Sequence, residues 1–306
     1  MSLEVELKLT LTEAMTPALA GQIEQVLTSL AQNCQPMPAS QLLNAYFETS
    51  AQWFRQHDSG LRSRLKQGRY EQTIKLAGQQ HGGAHIRPEY NVPCDSVIPQ
   101  LSAFPAQIWP VGTDIALLQQ QLQELFRTDF IRQGWLLTLA DGTVVEAVLD
   151  QGQVLAAGQA EAILELELEL VQGDAAQLFS LAQQLIRQLP LQLGFQSKAE
   201  RGYRLAQQQP LQLQQSSADA PLSQLLRAVQ QNLWLQQQAS SEAARQAATA
   251  LLQQQQSLLQ LSLAQSAAEP QLGAAMPALT SASQTELASW LLQLSWWMYL
   301  QSQQGG

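Results

Sequence analysis

The chain has 306 residues, 45% of them hydrophobic, which is enough for one large domain or two ordinary ones with a proper core. Its formal net charge of −9 argues against binding to nucleic acid or to an anionic membrane, because both need a basic surface. The sequence opens without a charged segment followed by an apolar one, and no apolar run reaches the length of a membrane span, so we expect a cytoplasmic protein. Cys34 and Cys94 lack the spacing of a metal site or a disulfide framework and indicate packing thiols.

The first predicted strand, residues 3–11, alternates charged and apolar side chains. Neighbouring side chains of a strand point to opposite faces, so Glu4, Glu6 and Lys8 share one face and the apolar residues share the other. Two interpretations of the charged face stay open. It is either the solvated side of an antiparallel edge, or part of an enclosed site where carboxylates hold a divalent cation and lysine holds phosphate.

The elements that follow, as far as residue 205, alternate short strands with amphipathic helices, which is typical of an antiparallel α+β fold. A turn is predicted at Pro36 and Pro38. The predicted helices cover residues 13–30, 115–125 and 174–189. The further predicted strands cover residues 41–48, 60–67, 70–76, 85–92, 128–139, 143–151, 153–157 and 162–172.

Basic residues follow the same alternation in the middle strands. Arg62 and Arg64 share one face of the strand at residues 60–67, and Lys75 ends the next strand. Taken alone, this pair of arginines fits a solvated hairpin face equally well. Further cations follow at Arg87, Arg132, Lys198 and Arg201.

A second acidic strand, residues 162–172, carries Glu165, Glu167 and Glu169 on one face and leucines on the other. Alone, it fits an exposed edge strand that discourages aggregation. If the strands instead belong to one sheet that closes on itself, their charged faces converge in a lumen, because interior and exterior residues alternate along every barrel strand. Such a lumen suits a polyanion bound with Mg²⁺ or Mn²⁺.

The composition changes at residues 206–220, a Gln- and Ser-rich stretch that predicts a linker between a domain at 1–205 and a helical region at 221–306. Helices are predicted at residues 222–238, 240–266 and 283–301. This region has no His and only Arg227 and Arg245 as basic residues, so it predicts no anion-binding surface. An aromatic cluster in the last helix indicates packing against other helices or the sheet, with a homodimer surface as the alternative. Its members are Trp290, Trp296, Trp297 and Tyr299.

Short motifs occur in a fixed order along the first two thirds of the chain. They are Glu4-Val5-Glu6-Leu7-Lys8, Tyr46-Phe47-Glu48-Thr49, Gly60-Leu61-Arg62-Ser63-Arg64, Gln72-Thr73-Ile74-Lys75, Arg87-Pro88-Glu89-Tyr90-Asn91, Leu149-Asp150-Gln151-Gly152 and Glu165-Leu166-Glu167. The series resembles the CYTH or triphosphate tunnel metalloenzyme superfamily, and most of all its bacterial inorganic triphosphatase branch. The resemblance runs from residue 3 to about residue 205, and it departs at Glu48, where Asp is usual.

The resemblance implies an α+β protein: a closed eight-stranded antiparallel tunnel with flanking helices, followed by a small all-α region, here a shortened CHAD-like bundle. It implies hydrolysis of inorganic triphosphate with Mg²⁺ or Mn²⁺ as cofactor. The implied catalytic residues are Glu4, Glu6, Lys8, Arg62, Arg64, Lys75 and Arg87. The implied substrate contacts are Lys8, Arg62, Arg64, Lys75, Arg87, Arg132, Lys198 and Arg201. The implied metal ligands are Glu4, Glu6, Asp150, Glu165, Glu167 and Glu169.

Two other functions are compatible with the same motifs. An adenylyl cyclase or thiamine triphosphatase needs a pocket for a base or a thiazole beside the tunnel, and no feature of the sequence indicates one. A non-catalytic polyphosphate-binding module gains nothing from paired carboxylates, so the pairs Glu4/Glu6 and Glu165/Glu167 argue against it.

Overall fold

The structure is a computed structural model that describes residues 2–265 and 270–304. The strands of this part of the chain are β1 (Ser2–Leu11), β2 (Asn33–Glu48), β3 (Gly60–Lys66), β4 (Arg69–Lys75), β5 (Gln79–His81), β6 (Ala84–Cys94), β7 (Gln123–Thr138), β8 (Val144–Ala156), β9 (Gln159–Gln172) and β10 (Leu191–Leu193). The helices are α1 (Pro17–Leu30), α2 (Trp53–Gln56), α3 (Ile115–Gln120), α4 (Ala175–Gln188), α5 (Lys198–Ala206), α6 (Leu222–Gln237), α7 (Glu242–Gln265), α8 (Pro270–Ala274) and α9 (Gln284–Gln304).

The sheet closes into a barrel. Its strand order is β1-β9-β8-β7-β2-β3-β4-β6, and β6 pairs with β1 to complete the ring. Every pairing in the ring is antiparallel, while the short strands β10 and β5 extend β1 and β6. The predicted α+β fold with a closed eight-stranded antiparallel sheet is therefore confirmed.

Alternation along β1 places the apolar side chains outside the barrel and the charged ones inside. Leu7 and Leu9 are completely buried, in one hydrophobic core with residues of α1 and α4. Helix α1 begins with Thr16, whose hydroxyl accepts a hydrogen bond from the Leu19 N–H at 3.1 Å, and with Pro17 in its first turn. The helices therefore supply the apolar partner that the outer face of the barrel needs, and the interior is left to polar groups.

The prediction of a turn at Pro36 and Pro38 is wrong, because both prolines lie within β2. They are tolerated there because β2 pairs with β3 only from Leu42 onward, so its first half has a free edge. A register shift between Met37 and Ser40 against β7 absorbs the local irregularity.

Other predicted boundaries of helices and strands differ from those in the structure. The helix predicted at residues 115–125 ends at Gln120, and β7 already begins at Gln123. The strands predicted at residues 143–151 and 153–157 form a single strand, β8, which continues through Gly152. A Cβ at Gly152 would lie 2.2 Å from the Asp129 carbonyl oxygen, so this glycine permits the close approach of β7 rather than a turn.

The C-terminal helices pack on the outside of the barrel. Residues of α6, α7 and α9 belong to the same hydrophobic core as β1, β10 and α4. In α9, Trp296 and Tyr299 lie against Phe179 of α4, with ring centroids 4.8 and 5.8 Å away. The aromatic cluster thus packs the last helix against its neighbours, as one of the two interpretations predicts. Helix α7 is described as far as Gln265, so residue 266 of the predicted helix lies outside the described residues.

None of the helices in residues 2–265 and 270–304 combines the length and the apolar character that crossing a membrane would require.

Candidate active site

A cavity of about 1210 Å³ in the barrel is lined by most of the predicted site residues. Inward-facing positions on β1, β3, β4, β6, β7 and β9 supply them, together with the first residue of α5. The predicted residues that line it are Glu4, Glu6, Lys8, Arg62, Arg64, Lys75, Arg87, Arg132, Glu167, Glu169 and Lys198. Alternation along the strands therefore brings together side chains that are distant in sequence.

Glu4 lies in a basic environment at one side of the cavity. Lys75 Nζ lies 2.7 and 2.8 Å from its two carboxylate oxygens, and Arg87 Nε donates to it at 3.2 Å. Lys75 also pairs with Glu89 at 2.8 Å. The charge of Glu4 is thus balanced by two cations that are themselves partly exposed, at 19% and 22% of their side-chain surface.

A second cluster lies deeper and is neutral as a whole. The buried carboxylates of Asp150, Glu165 and Glu167 have oxygens within 4.8 Å of one another, which is close enough to share a metal ion. Each is already paired with a cation. Arg132 donates two hydrogen bonds to Asp150, at 2.6 and 2.7 Å, and another to Glu167 at 2.9 Å.

Two lysines complete this cluster. Lys8 Nζ lies 3.0 Å from Glu165 and also contacts Glu167, while Lys198 Nζ lies 2.6 Å from Asp150 and 3.0 Å from Glu167. The carboxylates hold the pKa of Lys8 well above its usual value against the opposing effect of burial. Three carboxylates therefore face three cations, and this cluster has no excess negative charge for a metal ion to neutralise.

A further pair of carboxylates, those of Glu6 and Glu169, lies opposite each other on β1 and β9. Glu6 Oε1 is buried and accepts no hydrogen bond, and its nearest cation, Lys8, is 3.5 Å away. Glu169 forms no ion pair with any described residue. Burial, with repulsion from Glu4 and Glu6, raises the pKa of Glu169 to about 7. Hard carboxylate oxygens short of positive charge fit Mg²⁺ or Mn²⁺.

The excess positive charge lies at Arg62 and Arg64 on β3. Neither guanidinium forms an ion pair within the described part of the chain, and Nε of Arg62 is buried without a hydrogen-bond partner. Arg64 donates from Nε to Asn44 at 2.7 Å. Burial, with repulsion from Arg62 and Arg132, lowers the pKa of Arg64 to about 9. These two half-buried cations are therefore available to an anion that enters the cavity.

Three predicted site residues do not line the cavity. Asp150 and Glu165 lie behind its wall, where they bind the lysines and Arg132. Arg201 lies on α5 but binds Glu161 of β9, with its Nε 2.6 Å from the carboxylate. Arg201 is therefore not among the residues that line the cavity: it links α5 to the barrel through Glu161, and its Nη1 lies 3.8 Å from Glu165 Oε2.

His85 lines the cavity and was not among the predicted site residues. It lies on β6 opposite Glu6, and its Nε2 is buried without a hydrogen-bond partner. Burial, together with the charge of Arg87, lowers the pKa of His85 to about 4, so the ring is neutral at pH 7. His85 stands two residues before Arg87, so alternation along the strand places both side chains on the same face. That spacing is the signal in the sequence by which His85 could be predicted to face the cavity.

Glu48, where the sequence departs from the usual Asp, is buried and holds α2 in place. Its carboxylate accepts hydrogen bonds from the N–H groups of Thr49, Phe54 and Arg55 at 2.8 to 3.1 Å. It also accepts one from the hydroxyl of Tyr203 in α5, at 2.9 Å. The longer side chain thus ties α2 to α5 at the edge of the cavity.

Together these features define a class of protein: a closed antiparallel barrel whose described interior has a carboxylate without an ion pair, Glu169, on one side and two guanidinium groups without one, Arg62 and Arg64, on the other. The CYTH domain matches residues 2–203 of the sequence. The chain belongs to the CYTH domain family.

One relative is a protein of Haemophilus influenzae named inorganic triphosphatase, which is 30% identical over 210 residues. The match covers 67% of this chain and 56% of the relative, so this chain spans little more than half the length of that protein.

Solved structures with similar folds include a Hippeastrum protein, proposed as an adenylyl cyclase and described as having a dominant triphosphatase activity. It is 17% identical, with a TM-score of 0.47, and covers 68% of this chain and 97% of its own. A Pyrococcus horikoshii protein is also 17% identical, with a TM-score of 0.41, and covers 66% of this chain and 99% of its own.

Proposed function

We propose that the chain hydrolyses inorganic triphosphate to diphosphate and phosphate inside the barrel, with Mg²⁺ or Mn²⁺ as cofactor. The observation that carries the proposal is the separation of unneutralised charge across one cavity. On one wall Glu169 forms no ion pair and Glu6 has only Lys8, 3.5 Å away; on another, Arg62 and Arg64 form no ion pair among the residues that the structure describes. A triphosphate with its metal ion supplies both missing charges at once. The Haemophilus influenzae relative supports the same reaction.

Arg62 and Arg64 would bind the phosphate oxygens, because guanidinium groups make two-pronged contacts with phosphate. Lys75 and Arg87 are partly exposed in the cavity and bound to Glu4. When the charge of Glu4 is taken up by a cation, these two side chains become free to turn toward the substrate. Phosphoryl transfer asks a protein mainly for such positioning and for neutralisation of charge on the transferred group.

Glu4, Glu6 and Glu169 would hold the metal ion. When bound, the ion would supply positive charge to the phosphate groups and would lower the pKa of water for its attack. Asp150, Glu165 and Glu167 would keep Lys8, Lys198 and Arg132 charged and fixed at the inner end of the cavity. We therefore assign these three carboxylates to the orientation of phosphate-binding cations; of the three, Glu167 also lines the cavity.

The test is phosphate release from inorganic triphosphate, ATP and thiamine triphosphate, with Mg²⁺, with Mn²⁺ and with EDTA. We expect turnover of triphosphate by the wild type with either metal and none with EDTA. Arg64→Met should lower kcat/KM by about 100-fold or more, because it removes a cation from the reacting polyanion. Arg64→Met should fold normally, since the lost guanidinium has no carboxylate partner to leave unpaired.

Arg127→Met is the matched control, because Arg127 is an exposed arginine paired only with Glu124. It should keep wild-type activity. Turnover of ATP or thiamine triphosphate in preference to inorganic triphosphate would replace the proposal with another activity. Metal-independent binding of triphosphate without turnover would instead identify a polyanion-binding module.

A further inference from the structure

Arg227 connects the C-terminal helices to the barrel. It lies on α6, and its Nη1 donates to the Gln80 side-chain oxygen at 2.9 Å and to the Phe195 carbonyl at 3.0 Å. Its Nη2 donates to Glu200 Oε1 at 2.6 Å. One guanidinium therefore joins three separate segments: β5, the loop after β10, and the first turn of α5.

The contact with Glu200 reaches the start of α5. Ser197 and Glu200 form a capping box, in which Ser197 N–H donates to Glu200 Oε2 at 2.7 Å and Glu200 N–H donates to the Ser197 hydroxyl at 3.2 Å. Glu200 thus caps the helix with one oxygen and binds Arg227 with the other. Arg227 also helps to keep the pKa of Glu200 below its usual value, although burial opposes this.

The residue presented by this capped turn is Lys198, the first residue of α5. Its ammonium group contacts all three carboxylates of the inner cluster, Asp150, Glu165 and Glu167. The direction in which Lys198 enters the cavity depends on the position of the first turn of α5. Arg227 therefore acts on the cavity through Glu200 and the helix start.

The segment between α5 and α6 also lines the cavity, at residues 209–212 and 214. It is held on α6 and α7 by buried amides. Gln231 donates to the Gln212 carbonyl at 2.7 Å, and Asn232 both donates to and accepts from the Gln214 backbone at 2.8 Å. Gln255 of α7 adds a hydrogen bond to the Gln214 carbonyl at 3.0 Å.

Two further side chains of this region support the turn behind Lys8. A Cβ at Gly82 would lie 2.1 Å from the Ser295 hydroxyl of α9 and 3.2 Å from Leu226 of α6. The next residue, Gly83, accepts a hydrogen bond from Lys8 N–H at 2.9 Å. The C-terminal helices therefore pack closely against the segment that pairs with the Lys8 backbone, and this contact does not involve Arg227.

We propose that the C-terminal helices complete the barrel site, with Arg227 as a positioning residue that fixes Lys198 through Glu200. The proposal gives these helices a positioning role and no polyanion ligand of their own. The expected change in KM rests on the proposed function, with triphosphate as the substrate. The expected change in the position of Lys198 does not.

The experiment compares Arg227→Met with Arg245→Met in the full chain. Arg245 is the other arginine of this region, and it binds only its own α7 neighbourhood through Glu242 and the Ala239 carbonyl. Acylation of lysines by acetic anhydride, followed by mass spectrometry, reports the accessibility of Lys198 without any substrate. We expect several-fold faster labelling of Lys198 in Arg227→Met and no change in Arg245→Met.

The kinetic arm uses Lys198→Ala and the double variant with Arg227→Met, at a temperature where circular dichroism shows all of them folded. Each single change should raise KM for triphosphate by about tenfold, with a smaller effect on kcat. The KM of the double variant should be close to that of either single variant, because both changes remove the same contact, that of Lys198 with the substrate. Unchanged labelling of Lys198 in Arg227→Met, or KM effects that multiply, would overturn the proposal. If the wild type does not hydrolyse triphosphate, the labelling result still decides the role of Arg227, so the two failures are distinguishable.

Discussion

At the scale of single residues, the interior of this protein keeps charges that a stable core would avoid. Most of them form neutral groups, such as the carboxylates bound to Lys8, Lys198 and Arg132. The exceptions among the described residues are the guanidinium groups of β3 and the carboxylate of Glu169, which form no ion pair. Uncompensated buried charge destabilises a fold, and it persists at sites that bind a ligand of the opposite sign.

Glu169 gives this protein a specific dependence of stability on pH. Its pKa in the folded chain is raised from 4.5 to about 7, so the metal-free fold is favoured while the group is protonated. That contribution is complete below the unfolded pKa and is lost as the pH rises through about 7. We expect Glu169→Gln to raise the free energy of unfolding of the metal-free chain at about pH 8 by on the order of 1 kcal/mol, and to have little effect at about pH 4.5.

The measurement is urea unfolding at both pH values, in EDTA and in Mg²⁺. In the wild type, Mg²⁺ should stabilise the fold more at the higher pH, and this difference should be absent from Glu169→Gln. Glu146→Gln is the control, because Glu146 lies opposite Glu169 on β8 and has no ion pair in the described part of the chain. A larger gain from Glu146→Gln than from Glu169→Gln would contradict the assignment of the excess charge to Glu169.

At the scale of elements, the short helix α5 connects the cavity to the wall of the barrel. One face supplies Lys198 to the cavity, Arg201 and Arg204 bind Glu161 of β9, and Tyr203 binds Glu48. Its close approach to the barrel depends on Gly202, where a Cβ would lie 2.1 Å from ring carbons of Phe126. The Phe126 ring is itself fixed, since it stacks on Tyr46 with centroids 4.3 Å apart.

Gly202→Ala should therefore displace α5 from the barrel. We expect it to destabilise the fold by about 2 kcal/mol, as overpacking of a filled core does, and to reduce triphosphate turnover because Lys198 moves with the helix. Thermal unfolding followed by circular dichroism measures the first effect.

Gly21→Ala in α1 is a matched control, since it is also a helical glycine but has no atom within 4 Å of the added Cβ. It should leave stability unchanged or raise it by up to about 1 kcal/mol, because alanine is the better helix former. If Gly202→Ala behaves like Gly21→Ala, the helix has room to shift and the close contact is unimportant.

At the scale of the whole molecule, the barrel and the C-terminal helices share one hydrophobic core. It contains Ile86 and Leu193 of the barrel sheet, Phe179 of α4, and Leu226 and Leu294 of the last helices. All five are buried. A boundary at residues 206–220 separates two compositions, but the packing of apolar side chains crosses it.

A chain that ends after residue 205 should therefore be less stable and more prone to aggregate. Removing α6 to α9 exposes the apolar surface of α4 and β10, so we expect aggregation in size-exclusion chromatography, binding of a hydrophobic dye, and a Tm lowered by more than about 10 °C. Supplying residues 221–306 as a separate chain should restore part of the stability. A truncated chain that stays monomeric with an unchanged Tm would show instead that residues 1–205 are an independent domain.

Some of the site could be read from the sequence because it depends on alternation. The inward positions of Glu4, Glu6 and Lys8 follow from their spacing on one strand, and so do those of Arg62 and Arg64. Alternation does not reveal which charges neutralise one another, since this depends on the register between strands that are distant in the sequence. Arg201 shows the limit: its pairing with Glu161 follows from the helical path of α5 and cannot be read from alternation along the strands.

The sequence by itself determined the charged faces of the strands, their apolar backs and the likeness to the CYTH family, because these are properties of short segments and of their order. Only the tertiary structure decided that Asp150 and Glu165 lie behind the cavity wall, and that Glu169 faces Glu6 without an ion pair of its own among the described residues. It also decided that Arg227, from a region with almost no basic residues, reaches the start of α5. The physical reason is that pairing of charges is set by closure of the barrel and by packing of helices on it, which no local spacing encodes.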